Sequence, residues 1–375
     1  MTFKWYFNYL AHHFVAAAFR YLPHTSFRAD LDARVAAYFA EHRLSPSGGS
    51  RIAFKAAGFL LWLAASYTGL VFFADAWWSA VPLAICVGIG IAGIGFNVQH
   101  DASHGAFSGH GMVNRILALS LDLCGGSSYF WRFKHNIAHH TYPNVHGADD
   151  DLVVGKWGRL CPQDRWYPYH RLQHFYMWIL YGLLTVRWTL IDDYHSLIDP
   201  GIGVTRVPRP RGWDLVRFCG GKTLFIGLAL VLPLWRHGVV SVVLCFLITQ
   251  FVAGVVLGCV FQLAHCVTDA DFPSRDGGHI QRDGRIQRDW AAHQLDTTVD
   301  FAPESRFLTW FAGGLNFQIE HHLFPHIAHV HYPALAPIVA AAAADHGIRY
   351  RCCHRATSAL ASHYRWLRQM GRRPA

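Results

Sequence analysis

Long apolar runs alternate with long polar stretches along this chain, and the runs come in pairs. Ile52–Ala74 and Trp78–Val98 are separated by little more than Asp75 and Ala76. Leu215–Trp235 and Val239–Leu263 are joined by Arg236, His237 and Gly238. A helix needs about 20 mainly apolar residues to cross the hydrocarbon of a bilayer, so the pattern predicts four transmembrane helices arranged as two tight hairpins. The third run is the weakest, because Arg217 and Lys222 leave only Thr223–Trp235 free of charge. Those two bases are expected to snorkel to the end of the helix and keep their charges in water. A fifth run, Phe175–Ile191, carries Arg187 and is bracketed by Gln173-His174 and Asp192-Asp193. It predicts a helix lying in the membrane interface.

Composition supports this reading. Apolar residues make up 52% of the 375 and charged residues 15%, against about a quarter charged in ordinary soluble domains. Lys and Arg crowd three segments, 1–51, 99–214 and 264–375, and nearly avoid the hairpin tips. By the positive-inside rule those segments and both termini face the cytoplasm. The chain therefore divides into an N-terminal cytosolic arm (1–51) and a membrane domain (52–375), with all notable polar chemistry on one side. Met1–Arg51 is mixed and mostly polar, with no cleavable signal. The nine cysteines have no CxxC spacing, and Cys86, Cys245 and Cys259 fall within apolar runs. Structural disulfides and an intrinsic iron–sulfur cluster are not expected. The net charge of +9 suits a cytosolic face lying against anionic lipid. No nucleic-acid motif is present, and no internal repeat.

Histidine stands out next. With 26 among 375 residues, chance pairs are expected, and His12-His13, His170/His174 and His322/His326 show the background. Three clusters differ from it by position. His100 and His104 stand at i and i+4 where the second run ends. His135 and His139 repeat that spacing, with His140 adjacent. Gln318, His321 and His322 stand at i, i+3 and i+4 in NFQIEHHLFP. On an α-helix each spacing puts the side chains on one face, and all three clusters follow apolar runs on the same predicted side. His265 directly follows the last run, where an unsatisfied imidazole at membrane depth is costly and ligation would relieve it. His293 is open between a ligand, an outer position and an ordinary surface role. These eight imidazoles (His100, His104, His135, His139, His140, His265, His321 and His322) exceed the roughly four that one zinc-like ion takes, which points to two ions. Imidazole does not choose among zinc, copper, iron and nickel. Asp101, Glu320 and the run Asp149-Asp150-Asp151 sit beside these residues. Carboxylates so placed typically accept the other ring N–H; Asp150 is expected merely to be solvated. The fold expected is an all-α integral membrane protein: two helical hairpins, interfacial helices, and a cytosolic helical cap carrying the metal site.

The three clusters resemble, in order, the histidine boxes of the membrane fatty acid desaturases. They are His100-x-x-x-His104; His135-x-x-x-His139-His140 followed by Tyr142, Asn144, Gly147, Asp149 and Asp151; and Gln318-x-x-His321-His322 before Leu323-Phe324-Pro325. The Gln form of the third box is typical of front-end members, which insert a double bond between an existing one and the carboxyl end. The resemblance implies two iron ions, dioxygen as oxidant and a fatty acyl chain, carried on lipid or CoA, as substrate, with Δ5 or Δ6 positions favoured. It implies that Gln318 binds iron weakly or through water, and that Asn144, Asp149 and Asp151 support the ligands. A bacterial inner membrane is the implied location. Some members carry a fused cytochrome domain; Met1–Arg51 is too short for one and lacks the His-Pro-Gly-Gly haem signature. Electrons would then come from a separate ferredoxin or b-type cytochrome served by an NAD(P)H-dependent reductase, steered by the basic cytosolic face.

Further expectations concern the surroundings. An apolar acyl tunnel would run between the second and fourth spans near Phe261, Phe311 and Phe317. Trp131, Trp157, Trp166, Trp178 and Trp188 fit an interfacial belt. Arg132 and Lys134 could meet a head-group phosphate. Two rival functions remain at this stage: a hydroxylase on the same scaffold, and a bis-histidine haem electron carrier.

Overall fold

The computed structural model describes residues 19–199, 201–202, 205–275 and 277–374. His12, His13 and the first eighteen residues of the expected arm lie outside the described residues. Among the described residues, four helices are long and apolar enough to cross a membrane: Gly49–Phe72, Trp77–Ser103, Trp213–Arg236 and Val239–His265. The second span runs beyond the expected Val98 to Ser103, so His100 lies within it. The reason is a turn of π-helix over Gly95–Gln99. It keeps the helix going through Asn97 and Gln99, and π-turns of this kind recur at functional sites.

The second span is the centre of the bundle, packing against both the first and the fourth. Its small residues permit this. A Cβ at Gly88 would stand 2.6 Å from the Thr249 carbonyl oxygen of the fourth span, and one at Gly93 would stand 2.3 Å from the Phe59 ring of the first. The ends of the spans are capped by helical segments from the rest of the chain. Ser26–Glu41 and Tyr332–Asp345 bury Phe27, Leu31 and Val35 against Leu335, Val339 and Ala343. Strands are limited, among the described residues, to three two-stranded pairings. All nine cysteines are free thiols.

Three expectations are corrected here. The run Phe175–Ile191 does not lie flat. Gln173–Gly182 and Leu184–Arg187 pack lengthwise on the fourth span, reaching Gln250, whose carbonyl accepts from Thr185 Oγ1 at 2.8 Å. Gln250 is fifteen residues from His265, or about 22 Å of helix, so this segment dips deep beside the span and turns back. Glycines make the approach possible: a Cβ at Gly254 would meet the Tyr181 carbonyl at 2.5 Å, and one at Gly182 would meet the Phe251 ring at 2.1 Å.

Lys222 does not snorkel. It is buried, with Nζ 2.6 Å from Asp193 Oδ2, and it donates to the carbonyls of Gly125 and Thr189 at 2.6 and 3.1 Å. Asp193, at the far end of the re-entrant segment, supplies the counter-charge that the apolar pattern of the third run did not reveal. Arg217 stays exposed beside Asp214.

The tryptophan belt also loses a member. Trp131 is 7% exposed, Trp188 stacks on it, and Trp166 and Trp178 donate to the carbonyls of Gly371 and His174. Only Trp157 of the five is largely exposed.

Removing one partner of a buried ion pair leaves an uncompensated charge, at a cost of about 3–5 kcal/mol. Lys222→Met should therefore lower the thermal unfolding temperature in detergent markedly, and the double change Lys222→Met with Asp193→Leu should recover most of the loss. Single and double variants that both melt with the wild type would contradict this role.

Candidate metal centre

The three histidine clusters, far apart in sequence, meet at one end of the span bundle. The ring nitrogens of His100, His104, His135 and His321 lie within 4.8 Å of one another, as do those of His139, His265 and His322. His140 sits between the two groups. Its ring centroid is 4.6 Å from those of His104 and His321 and 4.4 Å from that of His322. All eight are buried.

Local backbone decides which ring joins which group. His100 and His104 share a face across one turn and enter the same group. The second cluster lies on π-helix, Arg132–His139, not on the α-helix expected. Its wider turn sends His135 to the first group and His139 to the second. In the third cluster, on the short helix Gln318–Leu323, adjacent His321 and His322 diverge to the two groups. His265 ends the fourth span.

Hydrogen bonds fix several rings. Asp149 accepts from His139 Nδ1 at 3.0 Å, and is itself held by the backbone N–H groups of Asn144 and Asp151 at 2.9 and 3.0 Å. Asn144 adopts a left-handed backbone, φ 59°. Its side-chain amide bridges the carbonyls of His265, Asp271 and Thr297 and so ties the second cluster to the end of the fourth span. Asp151 stands 3.6 Å from His139 Nδ1 and 3.9 Å from His135 Nδ1. Gln294 Oε1 lies 2.9 Å from His322 Nδ1, and Tyr332 Oη 3.2 Å from His321 Nδ1. With Nδ1 occupied in this way, Nε2 of both rings is left pointing inward without a hydrogen-bond partner.

Neither Gln294 nor Tyr332 was legible as a supporter. Gln294 adjoins His293, which the sequence left open between a ligand, an outer position and a surface role. His293 instead faces away from both groups, its Nε2 3.0 Å from the Pro143 carbonyl oxygen. Two carboxylates also serve other partners. Asp101 accepts from the backbone and Nδ1 of His329, the latter at 2.7 Å, and His329 Nε2 accepts from Lys55. Glu320 bonds to Tyr350, which also bonds to Asp300; burial and the neighbouring Asp300 push its carboxyl well above the usual range. Lys134 is engaged by Asp150 and Asp151, and these contacts hold its ammonium above the ordinary lysine range against burial. It is not free for a phosphate, and Asp150 is not merely solvated. Gln318 places Nε2 3.1 Å from His265 Nε2. Turning the amide by about 180° brings its oxygen to the second group.

Buried polar atoms are ordinarily hydrogen-bonded. Here both nitrogens of His104 and at least one of His135, His140, His265, His321 and His322 have no partner, while His100 Nε2 and His135 Nε2 face each other at 3.0 Å. Burial, followed by the mutual repulsion of imidazolium charges, holds His104, His140, His321 and His322 well below the ordinary histidine range. Burial brings His135 down to about 4. Neutral, deprotonated nitrogens converging without partners are what divalent metal ions require. Rings in mutual contact do not flank a gap, which disfavours a haem between them.

Comparison with known proteins agrees with this geometry. A profile of the fatty acid desaturases matches residues 75–354. The chain belongs to the fatty acid desaturase family. It is 35% identical over 349 residues to an sn-1 linoleoyl-lipid 6-desaturase of Arthrospira platensis, covering 93% of each chain. It is 34% identical to the protein of the same name from a Synechocystis strain, covering 95% of this chain and 99% of the relative. An acyl-lipid (8-3)-desaturase of Physcomitrium patens is 33% identical over 90% of this chain and 70% of its own. As a fatty acid desaturase this protein is a membrane oxidoreductase, and its buried histidine groups are compatible with a metal site.

The lowered histidines give the metal-free desaturase a pH dependence. Above the unperturbed value of 6.5 both folded and unfolded chains keep these rings neutral, and no stability is lost. Below it the unfolded chain takes up protons that the folded one excludes, so stability falls as pH drops from about 6.5 toward 4. His139 works the other way. Burial opposes its charge, but Asp149 and Asp151 outweigh burial and raise it, so its contribution is present at low pH and lost as pH rises. It is one ring against five. Thermal unfolding of chelator-treated protein should therefore show melting temperatures declining between pH 7 and pH 5, whereas a flat or rising profile would show that the rings are not held neutral.

Proposed function

We propose that this protein is a front-end acyl-lipid desaturase working at a di-iron centre on the cytosolic face of a bacterial inner membrane. The observation that carries the reading is the double group of buried imidazoles, most of them with an unpartnered ring nitrogen. His100, His104, His135 and His321 would hold one ion, and His139, His265 and His322 the other with Gln318 as a weak or water-mediated ligand; His140 would stand between them. The Gln-x-x-His-His third cluster and relatives named for 6- and (8-3)-desaturation support front-end insertion into a lipid-linked chain. CoA linkage stays the other form the acyl carrier could take.

Iron held there would supply the activation of dioxygen that unreactive C–H bonds require. The chain's own residues provide position and dryness. Asp149, Gln294 and Tyr332 hold ring nitrogens so that the opposite nitrogens aim inward. A cavity of about 520 Å³ lies among the four spans, lined by residues such as Leu63, Tyr67, Phe225, Cys245 and Gln250. Ile91 and Cys124 also line a narrower slot, which reaches His100, Trp131 and Phe261. An acyl chain drawn through this path would gain about 0.8 kcal/mol for each methylene buried, and sliding it by one carbon would change which bond lies beside His100. Of the three aromatics expected on the path, Phe261 lines the slot. Phe311 packs on Phe59 and Phe96, and Phe317 belongs to the cap core.

The two electrons per turnover would come from a ferredoxin or b-type cytochrome with its NAD(P)H-dependent reductase. The net charge of +9 suits an acidic donor.

Expression in a host of defined lipid composition with a competent donor, followed by fatty acid methyl ester profiling, tests the reading. Wild type should add chains lighter by two hydrogens, with the new double bond on the carboxyl side of an existing one, and His321→Ala should abolish them. Chains that gain an oxygen atom would instead make the protein a hydroxylase, and profiles identical to empty vector across several fed acyl chains would count against both. Gln318→His should change metal retention or activity; a variant matching wild type in both would remove the role given to Gln318.

A further inference from the structure

Two tryptophans lead away from the metal groups. The Trp131 ring stacks on His135 with centroids 4.4 Å apart and planes 19° from parallel. The half-buried Trp188, from the re-entrant segment, stacks on Trp131 at 5.1 Å and 27°. The contacts are continuous from a metal-group imidazole to a partly exposed indole, and both indoles line the slot beside His100. Their N–H groups differ. Trp131 Nε1 is buried without a partner, whereas Trp188 Nε1 donates to Asp193 Oδ1 at 3.2 Å. The other oxygen of Asp193 is held by Lys222 at 2.6 Å.

Resting on the desaturase reading, we infer that His135, Trp131 and Trp188 form an electron relay that discharges the activated centre when no acyl chain occupies the slot. Reduction of dioxygen to two waters takes four electrons and four protons. During desaturation two of each come from the donor and solvent, and two of each from the adjacent methylenes of the substrate. Without substrate the last two electrons must come from elsewhere, and the last two protons from solvent. Trp131 gives one electron through the His135 ring to the oxidised centre and, with no acceptor for its N–H proton, takes one from Trp188 rather than deprotonating. Oxidation of Trp188 releases its Nε1 proton to the Asp193 carboxylate and leaves a neutral indolyl radical. The external donor returns the electron and Asp193 returns the proton; a second passage completes the reduction to water. When no donor is present, Trp188 supplies both electrons in two successive passages; water adds to the doubly oxidised indole, two protons pass in all to Asp193 and solvent, and the residue is left as an oxygenated indole.

The test uses full-length, iron-loaded protein in detergent free of acyl substrate, reduced with dithionite and then exposed to air. Peptide mass spectrometry reads oxygen addition at Trp188, with exposed Trp157 as the internal reference. Trp188 should be oxygenated well above Trp157. W131F should bring it down to the Trp157 level, and W188F should move the added oxygen to Trp131. Should W131F fail to fold or to retain iron, W188F decides alone. Trp188 at the Trp157 level in iron-loaded wild type, unchanged oxygenation in iron-loaded W131F, or an unoxidised Trp131 in W188F would overturn the relay. Iron content and conversion of added acyl lipid are measured on the same preparation. Protein that holds no iron and makes no unsaturated product sinks the desaturase reading itself, whereas a working desaturase with a quiet Trp188 sinks only the relay.

Discussion

The structure depends on one unfavourable concentration. Eight imidazoles are buried at one end of the span bundle, their nitrogens close together and many without hydrogen-bond partners. Each such nitrogen carries a desolvation cost of about 1–3 kcal/mol when left unmade, and none can charge without repelling its neighbours. Metal ligation converts these costs into binding energy. The family to which the chain belongs and the geometry of the site lead to the same place.

The rest of the molecule holds that concentration in register. π-Helical turns at Gly95–Gln99 and Arg132–His139 aim rings that an unbroken α-helix would aim elsewhere. Glycines at 88 and 93 let the fourth and first spans close on the second, and those at 182 and 254 let the helix Gln173–Gly182 close on the fourth. The Lys222–Asp193 pair pins the re-entrant segment, and with it Trp188, beside the slot. Asn144 ties the second cluster to the end of the fourth span through three carbonyls. Packing of the spans thus sets both the metal groups and the width of the path that leads to them.

Much of this was legible from the chain, because hydropathy and histidine spacing are local signals. The four spans needed only runs of about 20 apolar residues, and the three clusters were marked by where they follow those runs. What stayed hidden depends on tertiary contacts. No pattern in sequence distinguishes Gln294 from the neighbouring His293, and the helix register alone decides that Gln294 meets His322. Lys222 read as a snorkelling base because its partner lies twenty-nine positions away. Asp101 and Glu320, adjacent to cluster histidines, point to His329 and Tyr350, since neighbours in sequence leave a helix in different directions. The re-entrant path of 173–198 was masked by an apolar run too short and too charged to span. Trp131 and Trp188 carry an interfacial residue type, yet the first is buried and the second half-buried in the stack beside His135.

The account rests on two ions held between these groups, and counting metal per chain tests it most directly. Elemental analysis of the intact, active protein should give two irons per chain. His104→Ala and His322→Ala, one from each group, should each reduce that number. Active protein containing no iron, or iron content untouched by both substitutions, would contradict it.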